Sequence, residues 1–252
     1  MSKGLENISE KKYPGRVIIL GCDMSGENTI VIYIVTGRSA SSQARKIEKK
    51  NKTLWVIPTD REILESGNVD LLIYPAICFA NGVAVSNGKQ TTDIKKNLSL
   101  DFDEVNILDK ALSKWEYEPD APTYTPRISG CILPGKNAAL NIIKRGSDET
   151  AIRNTYKISL VNGKGKMIAT YEGKNEDPLP SFSGEPLDLG LHEKTAHDMA
   201  ESVFEALSPQ NKHDDYRVAV ACAFIEDIQR AKFSLAIINR HERIGIYNGK
   251  NR

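Results

Sequence analysis

The sequence predicts a single α+β domain whose helices pack on the outer faces of antiparallel sheets. Short β-branched runs recur along the whole chain, whereas only two long stretches repeat apolar residues at helical spacing. Strands and helices do not alternate in the β-α-β-α order of a parallel sheet, which argues against Rossmann and barrel architectures. No low-complexity linker or repeat divides the 252 residues, and 40% hydrophobic content suffices for an ordinary core.

Residues 1–12 are polar and lack an apolar signal core, so a disordered tail is expected before a domain spanning 13–252. Residues 16–21 (RVIILG) and Thr29–Thr36 (TIVIYIVT) flank a turn-like segment at 23–28. Their near-continuous apolarity predicts a hairpin covered on both faces. Small residues follow at Gly37 and 39–44, where the backbone can pass close to another group, and Arg38 and Arg45 supply positive charge. The charged run 46–52 reads as a solvated loop or hairpin tip. A short strand is expected at 54–58. The apolar run 70–79 is interrupted by Pro75, which predicts a break or bulge. Residues 83–85 lead into a turn at 86–88 and a short helix from Thr91.

The first long helix is predicted over 101–115, with Phe102, Val105, Leu108, Leu112 and Trp115 on one face and Asp101 and Asp103 near its start. Strands at 127–133 and 137–144 flank Pro134-Gly135. A second hairpin is predicted between 155–161 and 166–171, across Asn162-Gly163-Lys164-Gly165. A Pro-stiffened loop at 175–185 precedes the second long helix, 193–207, whose apolar face carries Ala196, Met199, Ala200, Val203 and Leu207. Strands at 216–225 and 233–239 close the chain.

Composition narrows the function. Lys+Arg number 34 against 33 Asp+Glu, a net charge of +1. That balance gives no support for nucleic-acid binding but leaves room for a local cationic pocket. The longest apolar run, 30–35, is strand-sized, so no membrane partner is expected. Cys22, Cys78, Cys131 and Cys222 are scattered with no C-x-x-C pair, which predicts buried free thiols in a reducing, cytoplasmic protein. His192 and His197 lie five apart rather than at metal-ligand spacing. There is no G-x-G-x-x-G after a strand, no Walker loop, no H-E-x-x-H and no G-x-S-x-G, so no cofactor and no metal are expected.

What remains is a set of polar groups at strand ends and loops: Arg38, Tyr74, Asn87, Gln90, Glu118, Asp120, Tyr124 and Arg127. The richest stretch is 115–130, where Pro119, Pro122 and Pro126 stiffen a loop carrying the last four of these. An arginine fork suits a phosphate or a developing oxyanion. A desolvated Glu and a Tyr can move protons together.

Several segments resemble the archaeal-type inosine monophosphate cyclohydrolase family, which includes bacterial members. They are Tyr13-Pro14-Gly15-Arg16, residues 33–39 (YIVTGRS), residues 86–91 (SNGKQT) with Ile94, and residues 117–130 (YEPDAPTYTPRISG), with a further likeness at 178–186. The Pro-rich segment is the most specific. The resemblance implies an αββα sandwich of the N-terminal-nucleophile-hydrolase type. It implies the last step of de novo purine synthesis, closing 5-formamidoimidazole-4-carboxamide ribonucleotide to inosine monophosphate (IMP) with loss of water. Carried over residue by residue, it implies catalytic roles for Arg38, Tyr74 and Glu118. Asn87, Gln90, Tyr124 and Arg127 are then candidates for substrate binding. Arg127 either holds the phosphate or pairs with Glu118 or Asp120. The implied partner is a small purine ribonucleotide, and the family suggests a homo-oligomer. The chain departs from the family pattern at 40–45, and at Pro75 and Cys78, where members carry Asn and Arg.

Two other readings stand beside this one. An amide hydrolase of the same fold would need a processed N-terminal nucleophile, with Ser2 or Cys22 as candidates. A relative that binds a purine nucleotide without catalysis is the other.

Overall fold

β-Branched residues with apolar neighbours dictate the centre of the molecule, because strands apolar on both faces must be covered twice. The computed structural model describes residues 4–60, 73–209 and 214–243. In chain order the elements are α1 (Glu6–Ser9), β1 (Arg16–Cys22), β2 (Thr29–Thr36), α2 (Ala40–Gln43), β3 (Arg45–Lys50), β4 (Thr53–Pro58), β5 (Tyr74–Phe79), β6 (Val83–Ser86) and α3 (Gln90–Asn97). They continue with α4 (Glu104–Leu112), β7 (Arg127–Leu133), β8 (Asn137–Arg145), β9 (Ala151–Ser159), β10 (Lys164–Ala169), β11 (Leu187–Gly190), α5 (Ala196–Ala206), β12 (Arg217–Asp227) and β13 (Lys232–Asn239).

The strands form a six-stranded sheet, β11-β10-β1-β2-β12-β13, and a seven-stranded sheet, β3-β4-β5-β6-β7-β8-β9. Every described pairing is antiparallel. The sheets stack through β1 against β7 and β12 against β3. Gly130 of β7 makes room for Leu20 of β1: a Cβ there would lie 3.2 Å from Leu20 Cδ1 and 3.0 Å from Leu140 Cδ2. Outside the seven-stranded sheet, α3 and α4 bury Ile94, Ile107, Leu108 and Leu112 against Cys78, Ala84 and Cys131. On the other side, α5 packs on β12 and β13, and α1 on α5 and β11. The α+β sandwich is therefore present, with the β1–β2 hairpin buried on both faces.

Pro75 produces the expected irregularity. Leu54 pairs with Ile77 and Trp55 with Pro75, which leaves Ala76 without a partner across the ladder. Residues 70–72 of that predicted run lie outside the described residues.

Four expectations need correction. Residues 5–12 are not a disordered tail, because Leu5 and Ile8 are buried in the main core and Tyr13 N donates to Gly173 O at 2.9 Å. The charged run 46–50 is strand β3, with only Asn51 and Lys52 at the hairpin tip; Ile47 turns inward while the lysines stay at the sheet edge. The helix predicted over 101–115 is the shorter α4, because the Asp103 carboxylate caps it by accepting from Val105 N and Asn106 N at 3.0 and 2.8 Å. Phe102 is left exposed, and the Trp115 indole instead donates to Asp93 at 3.1 Å. Finally, 155–161 and 166–171 do not pair. The turn is real, with Lys164 N donating to Val161 O at 3.0 Å, but it carries the chain from one sheet to the other. β9 is a polar edge strand beside β8, whereas apolar β10 enters the core beside β1.

The four cysteines are buried free thiols. No helix among the described residues is long and apolar enough to cross a membrane.

Candidate active site

Antiparallel pairing places the first residues of β1, β3, β5 and β7 and the last of β2, β6 and β10 at one end of the sandwich. The polar residues at these strand ends therefore converge. They line a cavity of about 360 Å³ whose walls include Tyr13, Arg16, Arg38, Arg45, Glu118, Asp120 and Tyr171. A larger cavity of about 700 Å³ lies between the α3–α4 connection and β9, but among the described residues its lining offers one cation, Lys157, against Asp101, Asp103 and Glu104. The smaller cavity holds the arginine cluster and is the candidate site.

The loop between α4 and β7 brings Glu118 in. It has no regular structure, yet its backbone is held at several points. Glu118 N donates to Thr125 O at 2.9 Å, and Thr125 N donates to the Asp120 carboxylate at 2.7 Å. Tyr124 adopts a left-handed φ of 47°, and the Ala121-Pro122 peptide is cis. Asn87 clips the end of the loop to the sheet: its amide donates to Pro126 O at 2.9 Å and its oxygen accepts from Ile128 N at 2.9 Å.

Glu118 is nearly buried. Its partner is Arg127, with Nη1 at 3.4 Å from Oε1. Arg127 is shared, because it also donates to Glu116 O at 2.7 Å and Gln90 Oε1 at 3.3 Å, and it lies over the Trp115 ring. Burial therefore outweighs the pull of Arg127 and Arg16 and pushes the Glu118 carboxyl up to about 7, with Asp120 adding to the rise.

Arg16 and Arg45 sit in the same cavity from different sheets. Arg16 Nε donates to the Tyr74 hydroxyl at 3.3 Å and Nη1 to Thr36 O at 3.4 Å. Tyr74 in turn shares a hydrogen bond with Tyr33 at 3.0 Å. Arg45 is buried; its Nε donates to Ser42 O at 2.8 Å and its Nη2 has no hydrogen-bond partner. Burial, then repulsion from Arg16, pulls Arg45 down to about 10. Arg38 lies nearer solvent, where Asp177 Oδ1 accepts from it at 3.0 Å and Asn175 Oδ1 at 3.4 Å. The small residues after β2 serve the chain itself: a Cβ on Gly37 would lie 2.4 Å from the Ser42 carbonyl oxygen, where α2 folds back.

Of the residues singled out from sequence, Arg38, Glu118 and Asp120 line this cavity. Tyr74 is one hydrogen bond behind it, through Arg16. Arg127 and Gln90 stand behind Glu118, and Gln90 Nε2 donates to Asn87 Oδ1 at 3.1 Å, so Asn87 and Gln90 brace the loop. Tyr124 faces elsewhere, under Arg145 at 4.1 Å and edge-on to Tyr117. Sequence reasoning missed Arg16, Tyr13 and Tyr171. The signal for the first two was the Tyr13-Pro14-Gly15-Arg16 segment, which marks a cation at the mouth of an apolar strand. Cys78, one of the departures from the family pattern, packs in the outer cluster under α3 and α4, away from the cavity. Among the described residues, no group of three or more His, Cys, Asp or Glu is placed to hold a metal ion.

Comparison with known protein families matches residues 13–229 to the family described as IMP cyclohydrolase-like protein. No curated protein matches the chain.

Proposed function

The chain belongs to the IMP cyclohydrolase-like family, and from that premise we propose that it closes 5-formamidoimidazole-4-carboxamide ribonucleotide to IMP with loss of water. The observation that carries this reading is Glu118, a nearly buried carboxyl poised near 7 in a cavity lined by arginines. A group balanced at that value can accept and return a proton at neutral pH.

The ring closes when the carboxamide nitrogen attacks the formyl carbon. Glu118 takes one proton from that nitrogen, and the formyl oxygen becomes a tetrahedral alkoxide. Arg38 donates to that oxygen from the mouth of the cavity. The oxygen then leaves as water: one of its protons returns from Glu118, and the other is matched by loss of the formamido N–H as the new C=N bond forms. Tyr74 acts through Arg16, whose orientation its hydroxyl fixes. Arg127 keeps Glu118 in place without quenching it.

The reading of an amide hydrolase with a processed nucleophile has less support. Cys22 ends β1, a strand flanked by β10 and β2, and cleavage before it would strip β1 from the core. Burial also raises the Cys22 thiol, against a nucleophile's needs. Ser2 lies outside the described residues.

The test is to incubate the purified protein with the formamido nucleotide and follow IMP by ultraviolet absorbance, subtracting the uncatalysed rate. No excess rate overturns the reading. Glu118→Gln is expected to lower kcat by at least about 100-fold. Because the active form is the carboxylate, kcat/KM is expected to rise with pH and level off above about 7.

A further inference from the structure

Arg127 pairs with Glu118, yet it holds the carboxylate loosely. One nitrogen meets one oxygen at 3.4 Å. An arginine free to choose takes a carboxylate in a two-point fork, at about 2.7–2.9 Å. The cause lies on the other side of the guanidinium. Its Nε donates to Glu116 O at 2.7 Å, its Nη1 also reaches Gln90 Oε1 at 3.3 Å, and its plane lies over the Trp115 ring at 4.9 Å. A ring face attracts a cation, most strongly where water is excluded, and the Arg127 side chain is only 11% exposed. The ring is pinned from another element: the Trp115 indole donates to Asp93 Oδ2 of α3 at 3.1 Å.

We propose that Trp115 is a positioning residue for the proton transfer: its ring, pinned by Asp93, holds Arg127 back from Glu118, so that the carboxyl keeps a proton it can exchange. An arginine released from the ring closes its fork on Glu118, and a carboxylate gripped at two points loses basicity. The other charges that act on Glu118 are Arg16 of β1, Arg45 of β3 and Asp120 of the same loop. Around Trp115 stand Asp93, which also pairs with Lys96 at 2.9 Å, and Arg153 of β9, which donates to the Trp115 carbonyl oxygen. The role in catalysis rests on the ring-closure reading; the hold of the ring on Arg127 does not.

Carbon-13 NMR of protein labelled at the glutamate side-chain carboxyl reads the Glu118 titration without turnover, the signal being assigned by its absence from Glu118→Gln. The wild type is expected to titrate near 7. Trp115→Leu is expected to titrate at least about one pH unit lower, and Trp115→Phe, which keeps a ring face, within about half a unit of the wild type. The acid limb of kcat/KM should move with the titration. In an Arg127→Met background no fork can close, and Trp115→Leu is expected to shift nothing. Asp93→Ala, at a half-exposed helix position, frees the ring without removing it. A smaller downward shift is expected there, again absent in the Arg127→Met background, and this variant decides the matter should Trp115→Leu fail to fold. An unmoved or raised titration, the same shift with and without Arg127, or equal shifts in Trp115→Leu and Trp115→Phe overturns the proposal. A titration that moves as expected in a protein that forms no IMP keeps the hold on Arg127 and loses the ring-closure reading. IMP formation with an unmoved titration does the reverse.

Discussion

Glu118 shows how one side chain is tuned by competition between burial and a partner. Its carboxyl sits near 7 against an ordinary 4.5, because burial costs the charged form more than Arg127 returns. The folded protein therefore binds this proton more tightly than the unfolded chain does. That contribution to stability is full below about 4.5 and is lost as pH rises through about 7. Glu118→Gln, neutral at every pH, is thus expected to be roughly 1–3 kcal/mol more stable than the wild type at about pH 8, with little gain at about pH 5. Urea unfolding at the two pH values measures the difference. Loss of catalysis with gain of stability is a signature that a purely structural glutamate would not give. At this scale Glu118 and Arg38 were legible because they stand in motifs rich in turn residues. Arg16 and Arg45 were harder to read, because an arginine at a strand end usually means a solvated terminus, and only the meeting of two sheets shows otherwise.

Elements were legible where their periodicity was local. The boundaries of β2 and β7 follow directly from β-branched runs bounded by turn residues. Partners were not: Asn162-Gly163 announces a reversal, but nothing in the turn tells whether the next strand returns to the same sheet. That was decided by burial, since apolar β10 needs the core and polar β9 tolerates an edge. The start of β1 depends on one residue. Gly15 has φ of 74°, and a Cβ there would fall 2.0 Å from Thr170 Oγ1 and 2.7 Å from the Tyr171 ring. Thr170 Oγ1 also accepts from Arg16 N at 3.1 Å, so the glycine sets the position of the next side chain. Gly15→Ala is expected to cost at least about 2 kcal/mol of stability, read by denaturant unfolding.

For the whole molecule, the sandwich follows from the count of strands and helices, but not the strand order, because decisive pairings join distant residues. Arg16 N and Thr170 Oγ1 lie 154 positions apart in the chain. The order carries a consequence for biosynthesis. The seven-stranded sheet is a simple meander in which each strand pairs with the next, whereas the six-stranded sheet joins β1 and β2 to strands made much later. As the chain leaves the ribosome, the first hairpin must wait, its apolar faces half covered, until β10 and β12 arrive to flank it. The arginine-lined cavity draws on both sheets and on residues as late as Leu179, so it exists only after the sheets have met. In refolding from urea, recovery of IMP binding is expected to lag the return of β-sheet circular dichroism. Binding competence regained together with the earliest sheet signal would mean that the two sheets assemble in concert. The cavity is thus a product of the two sheets' meeting, and neither sheet builds it alone.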